Sequence, residues 1–170
     1  KAQLKELYDV ETEANAFLSR ELAARMASLT ALLRREIAVY IARSGKILGV
    51  SVGHADNVAL DDFGLRRSSR RLSRVRCIHT HPNGDATLSD VDLSAVVSLR
   101  LDAICALGVD ERGEITGATA SFLAPDEEGS LRAGPVEALD AASLDDPRLM
   151  ERVAGNDRMM TASEQETQEE

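Results

Sequence analysis

Short β-branched runs alternate along this chain with helical patterns, and that alternation limits the folds open to it. After Ser19, apolar residues recur at helical spacing in ELAARMASLTALLRR, which predicts a helix over residues 20–34. The runs IAVYIA and KILGVSV follow, separated by Arg43-Ser44-Gly45, and such a pair is typical of a β-hairpin. The period of the pattern therefore changes from 3.6 to 2 within one stretch of the chain.

Further strand patterns follow the hairpin. We predict strands in NVAL (57–60), VRCIH (75–79), residues 102–109 and ITGATASFL (115–123), with a helix that begins after Ser89. A turn is predicted at Pro82-Asn83-Gly84-Asp85. This order predicts an α/β fold, in which a mixed sheet of about five to six strands carries helices packed on it.

Charge divides the chain near Pro125. Acidic and basic residues balance over residues 1–125, so the whole net charge of −9 lies in the last 45 residues. We predict a folded domain over residues 1–124 and an acidic linker or tail over 125–170. One short helix is expected in AASLDDPRLMERVAGNDRMM, and TASEQETQEE, which has no apolar face, is expected to be disordered or to continue into a segment outside this sequence.

Composition excludes several classes of protein. No window approaches the roughly 20 apolar residues of a spanning helix, so we expect no membrane contact and a cytoplasmic location. Cys77 and Cys105 both lie in apolar runs, which predicts buried free thiols in a reducing compartment. Five aromatic residues and no Trp argue against a base-stacking platform, and we expect no DNA partner.

The segment VRCIHTH carries the clearest chemistry. Alternation along a strand puts His79 and His81 on one face, roughly 7 Å apart at the backbone. Asp92, one turn into the next predicted helix, can swing back toward that strand. Two His and a carboxylate are a common catalytic zinc set, whose fourth position is left to water. Glu36, at the entry to the first strand, is the candidate general base.

The spacing His79-x-His81-Pro82, followed by Ser89 and Asp92, resembles the JAMM (MPN-plus) signature of zinc isopeptidases. The resemblance implies that His79, His81 and Asp92 bind zinc, that Glu36 activates a water molecule, and that Ser89 steadies the tetrahedral intermediate. The residues also admit simpler roles. Ser89 is a helix cap in S-x-x-D, and both histidines can be residues at the edge of the core.

A longer block is similar to the N-terminal domain of HflX-type ribosome-associated GTPases. It comprises REIAVYIARSGKILGVSVG and RLSRVRCIHTHPNGDATLSDVDLSAVVSLRLDAICALGV, and with the helical opening it spans about residues 4–123. The resemblance implies an α/β module that docks on the large ribosomal subunit and influences a downstream GTPase domain. No G-x-x-x-x-G-K-[ST] occurs in the sequence, so GTP would bind only through that domain, which is absent from this chain.

Arginines cluster between residues 61 and 76 in what the pattern predicts to be a basic loop. Six arginines in eleven residues form a dense cationic footprint for phosphates, although such runs are usually only solvated connections. The candidate rRNA-binding residues are Arg66, Arg67, Arg70, Arg71 and Arg74. The sequence thus leaves three functions open: a ribosome-docking domain, a JAMM-like zinc hydrolase, and a structural domain with a vestigial metal set.

Overall fold

A mixed β-sheet with helices on both faces forms the body of the protein in a computed structural model, which describes residues 2–53, 74–153 and 155. The helices are α1 (Ala2–Glu6), α2 (Arg20–Leu33) and α3 (Asp90–Ser98), with a 3-10 turn at Leu7–Asp9. The strands are β1 (Ile37–Ala42), β2 (Ile47–Val52), β3 (Val75–His81), β4 (Ala103–Val109), β5 (Ile115–Pro125), β6 (Leu131–Ala133) and β7 (Glu137–Leu139). The predicted α/β class is confirmed. Among the described helices, none is long and apolar enough to cross a membrane.

The order of the sheet is β2-β1-β3-β4-β5, and the short strands β6 and β7 pair with separate parts of β5. Among the strands that the structure describes, only β3 and β4 are parallel, and α3 provides the crossover between them. The other pairs are antiparallel. A parallel pair requires such a crossover, which explains why a helix separates two strands that are neighbours in the sheet.

Each face of the sheet buries its own apolar cluster. On the face of α2, Leu22 and Met26 pack with Ile37, Ile78 and other buried residues. On the opposite face, Val96 of α3 packs against Tyr40 and Ile104 among others. The alternation of side chains along β3 therefore decides which residues face α2 and which face α3.

The start of α2 and the β1–β2 turn follow the predictions closely. Ser19 caps α2 by accepting a hydrogen bond from the Leu22 amide at 3.2 Å. At the turn, Gly45 has φ +90°, and a Cβ atom there would lie 1.9 Å from the Thr12 carbonyl oxygen. Both the backbone angle and the close approach of residue 12 require glycine.

Ordered structure continues past the predicted boundary at residue 124. β6 and β7 extend the sheet, and Leu144, Met150 and Val153 are buried in the cluster on the α2 face. The expected short helix is present over residues 147–153. The described acidic residues of this part are exposed or half-buried, whereas its buried apolar side chains complete the core, so the change in charge at Pro125 does not coincide with the end of the folded structure.

Arg76 lies in β3 and is fully buried, so it does not belong to the predicted basic loop. Its guanidinium donates hydrogen bonds to the carbonyl oxygens of Ala16, Phe17 and Ala42 at 2.7–3.0 Å. These acceptors compensate the cost of burying the charge. Burial lowers the pKa of Arg76 to about 10, although the Asp102 carboxylate acts in the opposite direction. Arg76 thus ties the segment before α2 to the sheet.

The structure describes only some of the residues named in the remaining predictions. Cys77 and Cys105 are buried free cysteines, as predicted. Arg74 is exposed and has φ +67° just before β3 begins. The predicted strand at 57–60 and Arg66, Arg67, Arg70 and Arg71 lie outside the described residues.

Candidate metal centre

The candidate metal centre lies at the end of β3, where three elements meet. Alternation along β3 directs His79 and His81 to the α3 face, and the first turn of α3 brings Asp92 beside them. In the β1–β3 pair Ala38 lies opposite His79, so the same register continued by two residues puts Glu36 opposite His81. Side chains directly opposite in an antiparallel pair have Cβ atoms about 5 Å apart.

The three predicted ligands come together. One donor atom from each of His79, His81 and Asp92 lies within 4.8 Å of the others, and the two imidazole ring centroids are 4.9 Å apart. The distance from His79 Nε2 to Asp92 Oδ2 is 3.6 Å. Ligands about 2 Å from a tetrahedral zinc are about 3.3 Å from one another, so small side-chain movements would suffice to bind an ion.

His79 provides an independent test of whether a metal fits. The residue is 5% exposed, and neither ring nitrogen has a hydrogen-bond partner among the residues that the structure describes. The 3.6 Å contact with Asp92 is electrostatic and too long for a hydrogen bond. Buried polar atoms normally have partners, and a metal ion at Nε2 would satisfy one of these two.

His81 is oriented for metal binding by a backbone contact. Its Nδ1 lies 2.6 Å from the Asp85 carbonyl oxygen, and since a carbonyl only accepts, Nδ1 carries the hydrogen. In the neutral ring Nε2 is then unprotonated and has a lone pair toward the cluster. Metal-binding histidines commonly show this second contact, which fixes both tautomer and ring orientation.

The loop that contributes Asp85 is itself held against the sheet. The Thr116 hydroxyl on β5 donates to the Gly84 carbonyl at 2.8 Å. On β4, Gly108 is the parallel partner of His81, and a Cβ atom there would lie 2.5 Å from the same carbonyl oxygen. Glycine at residue 108 therefore lets the loop approach closely enough to reach His81.

Ser89 and Asp92 form a capping box at the start of α3. Ser89 Oγ accepts from the Asp92 amide at 3.1 Å, and Asp92 Oδ2 accepts from the Ser89 amide at 2.8 Å. The helix-capping role predicted for Ser89 is thereby confirmed. The same bonds orient the Asp92 carboxylate toward His79.

Glu36 stands at the edge of the cluster. Its Oε1 lies 3.6 Å from His81 Nε2, and the residue is 6% exposed. It is not one of the three residues whose donor atoms all lie within 4.8 Å of one another. Its position beside the ligands, but apart from them, is what a base that acts on a metal-bound water would need.

The local charges favour an ion pair in the absence of metal. Burial disfavours a charged His79, but the Asp92 carboxylate and Cys77 outweigh it and raise the pKa of His79 to about 10. Burial also opposes ionisation of Asp92, yet His79 and the bonds to Ser89 lower the pKa of Asp92 to about 2. Burial and the neighbouring His79 lower the pKa of His81. A metal cation would therefore take the place of the His79 proton.

The structure thus brings together the predicted residues Glu36, His79, His81, Ser89 and Asp92, although Glu36 is at least 43 positions from the other four in sequence. Sequence reasoning missed the part played by the Asp85 carbonyl, because a backbone atom leaves no signature in residue identity. It also missed Thr80, whose hydroxyl is buried on the other face of β3.

Comparisons of this chain with protein-family models, with curated proteins and with solved structures found no match.

Proposed function

We propose that this chain is the N-terminal domain of an HflX-type GTP-binding protein, which docks on the large ribosomal subunit in the cytoplasm and holds a divalent metal ion. The observation that carries the proposal is where the resembling block falls: it supplies β1, β2, β3, α3 and β4, a continuous run of neighbours in the sheet. A resemblance that extends over one structural unit supports the proposal more strongly than a resemblance in isolated motifs would.

The arginine segment before β3 is the proposed contact with rRNA. Arg74, at the end of that segment, is exposed. Because the chain has few aromatic side chains, the contact would be to phosphates and shape, with little reading of bases. Regulation of GTP hydrolysis would require the GTPase domain as partner.

Ribosome co-sedimentation tests the docking role. We expect the chain to pellet with large subunits and the quadruple variant R66E/R67E/R70E/R71E to stay in the supernatant. The matched control, R20E/R25E/R112E/R132E, makes the same change of charge at exposed arginines elsewhere. Equal pelleting of both variants would contradict the assignment of the arginine segment.

A second candidate function is a JAMM-like zinc hydrolase, and the position of Glu36 beside the three ligands favours it. His79, His81 and Asp92 would hold the zinc, which supplies a Lewis acid and lowers the pKa of a bound water to about 7. Glu36 would take a proton from the attacking water and pass it to the nitrogen of the amide as the C–N bond breaks.

Ser89 can serve this chemistry without giving up its capping role. Its oxygen accepts from the Asp92 amide, and that bond does not use the hydroxyl hydrogen. The Ser89 hydroxyl also helps to lower the pKa of Asp92, so its hydrogen would turn from the Asp92 carboxylate to the oxyanion that develops on the substrate carbonyl.

The hydrolase function is tested with Glu36→Gln and isopeptide-linked substrates. We expect the variant to retain zinc, since Glu36 is not a ligand, and to lose cleavage by at least about a hundredfold. Cleavage that survives in the variant would exclude this mechanism. Binding of zinc with no cleavage by either protein would favour the docking role alone.

A further inference from the structure

We infer that Thr80 is a positioning residue for Glu36: its buried hydroxyl holds the start of β1 and thereby sets the Glu36 carboxylate opposite His81. This inference rests on the hydrolase function proposed above. Thr80 lies between His79 and His81 in β3, so its side chain points away from the metal ligands, toward α2.

The Thr80 hydroxyl is a fully buried junction between three elements. Its oxygen is 2.6 Å from the Thr30 hydroxyl oxygen in α2 and accepts a hydrogen bond from the Ile37 amide at 3.0 Å. The Ile37 carbonyl oxygen is 3.4 Å away. One side chain in β3 thus fixes both the first residue of β1 and the last turns of α2.

This junction takes over where the backbone pairing of the strands stops. The last paired residues of β1 and β3 at this end are Ala38 and His79. Beyond them, the Ile37 amide bonds to the Thr80 side chain. Glu36 immediately precedes Ile37, and its own carbonyl accepts from the Gly53 amide at 3.0 Å. The backbone of Glu36 is therefore held from both sides, by Thr80 through Ile37 and by Gly53.

Packing alone does not account for a hydroxyl here. The surrounding cluster on the α2 face is apolar, and a valine of nearly the same shape would fill the space. A buried polar group is favourable only when it is bonded in one geometry, so the Thr80–Thr30 pair specifies a single position of Ile37. A carboxylate that must reach a metal-bound water needs such precision.

Cobalt substitution provides a test that does not depend on a substrate. The visible spectrum of the cobalt(II) protein, recorded against pH, reports ionisation of a metal-bound water. Loss of a nearby carboxylate favours the hydroxide form, so we expect E36Q to lower the midpoint by about one pH unit, or tenfold in the ionisation constant. We expect T80V to move the midpoint in the same direction and T80S, which keeps the hydroxyl, to match the parent protein.

Ser121→Ala is the matched control. Ser121 lies on β5, and its fully buried hydroxyl donates a hydrogen bond to the Gly134 carbonyl oxygen at 2.9 Å. Loss of this hydroxyl therefore perturbs the core at a site away from β1. We expect S121A to titrate like the parent protein. A shift in S121A as large as that in T80V would assign the effect to general loosening and overturn the inference.

The possible outcomes distinguish failure of the Thr80 inference from failure of the proposed hydrolase function. A shift in E36Q with none in T80V overturns the positioning role and leaves the hydrolase function standing. Failure of the parent protein to bind cobalt, or an unshifted E36Q, overturns the role of Glu36 and the inference with it. If T80V does not fold, T30V removes the partner of the Thr80 hydroxyl, and an unshifted T30V overturns the inference.

Discussion

His79 and His81 occupy adjacent positions on one face of β3, yet their surroundings divide the work of binding between them. His81 is held by the Asp85 carbonyl and has a lone pair toward the cluster. His79 is buried with no hydrogen-bond partner among the described residues and pairs with a carboxylate. His81 is thus ready to accept a cation, whereas His79 would have to release a proton before it could bind one.

Elemental analysis of protein purified without tag or chelator tests the set of ligands. We expect about one zinc per chain in the parent protein and almost none in His81→Ala, since two remaining ligands rarely retain zinc. His54→Ala, which removes the histidine outside the motif, is the control and should retain the metal. Equal metal contents in all three proteins would place any bound zinc elsewhere.

The affinity for zinc is expected to rise with pH. Because the pKa of His79 is raised to about 10, this residue is protonated at neutral pH and must release a proton when the metal binds. Asp92, whose pKa is lowered to about 2, is already ionised. Affinity should therefore increase about tenfold per pH unit between pH 6 and 8. Calorimetry in buffers of different ionisation enthalpy counts the protons; zero released protons would contradict the ion pair.

At the scale of elements, the site depends on how β3 and α3 end and begin. The capping box at Ser89 and Asp92 serves helix and cluster together. The loop between the two elements is fixed on β4 and β5 through Gly84. Loss of either support should weaken metal binding, because it would change the orientation of a candidate ligand.

Ser89→Ala separates capping from metal binding when it is compared with Ser19→Ala. Both variants lose a helix cap, so both should lower the free energy of unfolding by about 1 kcal/mol. Only Ser89→Ala should also weaken zinc binding, by roughly tenfold or more, because it frees the Asp92 backbone that orients the ligand. Chemical denaturation and competition with a chelator measure the two effects. Equal zinc affinity in both variants would show that the cap does not support the ligand.

Local patterns were sufficient to predict most of these elements. The alternation in VRCIHTH and the S-x-x-D pattern placed four of the five site residues, because both are short-range features of a strand and a helix start. Arg76 lies in the strand predicted over 75–79, but its burial was not predicted, since its neighbours in sequence include several arginines while its partners in space are the carbonyls of residues 16, 17 and 42. β6 and β7 were not predicted, because a strand of three residues is too short to show an alternation of apolar and polar residues.

At the scale of the whole molecule, the region after Pro125 completes the sheet and the core. β6 and β7 both cover β5, and the helical residues 147–153 bury Met150 and Val153. Arg152 reinforces this contact: its guanidinium lies 4.0 Å from the centre of the Phe122 ring and pairs with Glu137. The acidic region is therefore part of the fold as far as the structure describes it.

Truncation tests this conclusion. A chain that ends at residue 124 loses Leu144, Met150 and Val153, whose burial contributes about 1.5–3 kcal/mol each, comparable in sum with the stability of a small domain. We expect it to lack a cooperative thermal transition, whereas a chain that ends at residue 155 should melt like the full one. Circular dichroism against temperature measures both. Identical melting temperatures of all three chains would show that the folded domain ends at residue 124.

The three candidate metal ligands all come from the fourteen residues 79–92, whereas Glu36 immediately precedes a different strand, β1. The backbone around Glu36 is held by Thr80, through the Ile37 amide, and by Gly53. Under the proposed hydrolase function, a single codon change at residue 36 would remove the base and leave all three candidate ligands in place. Under that function, a lineage of such domains could pass from cleaving a partner to binding one in a single step, because the candidate ligands lie on other elements than Glu36.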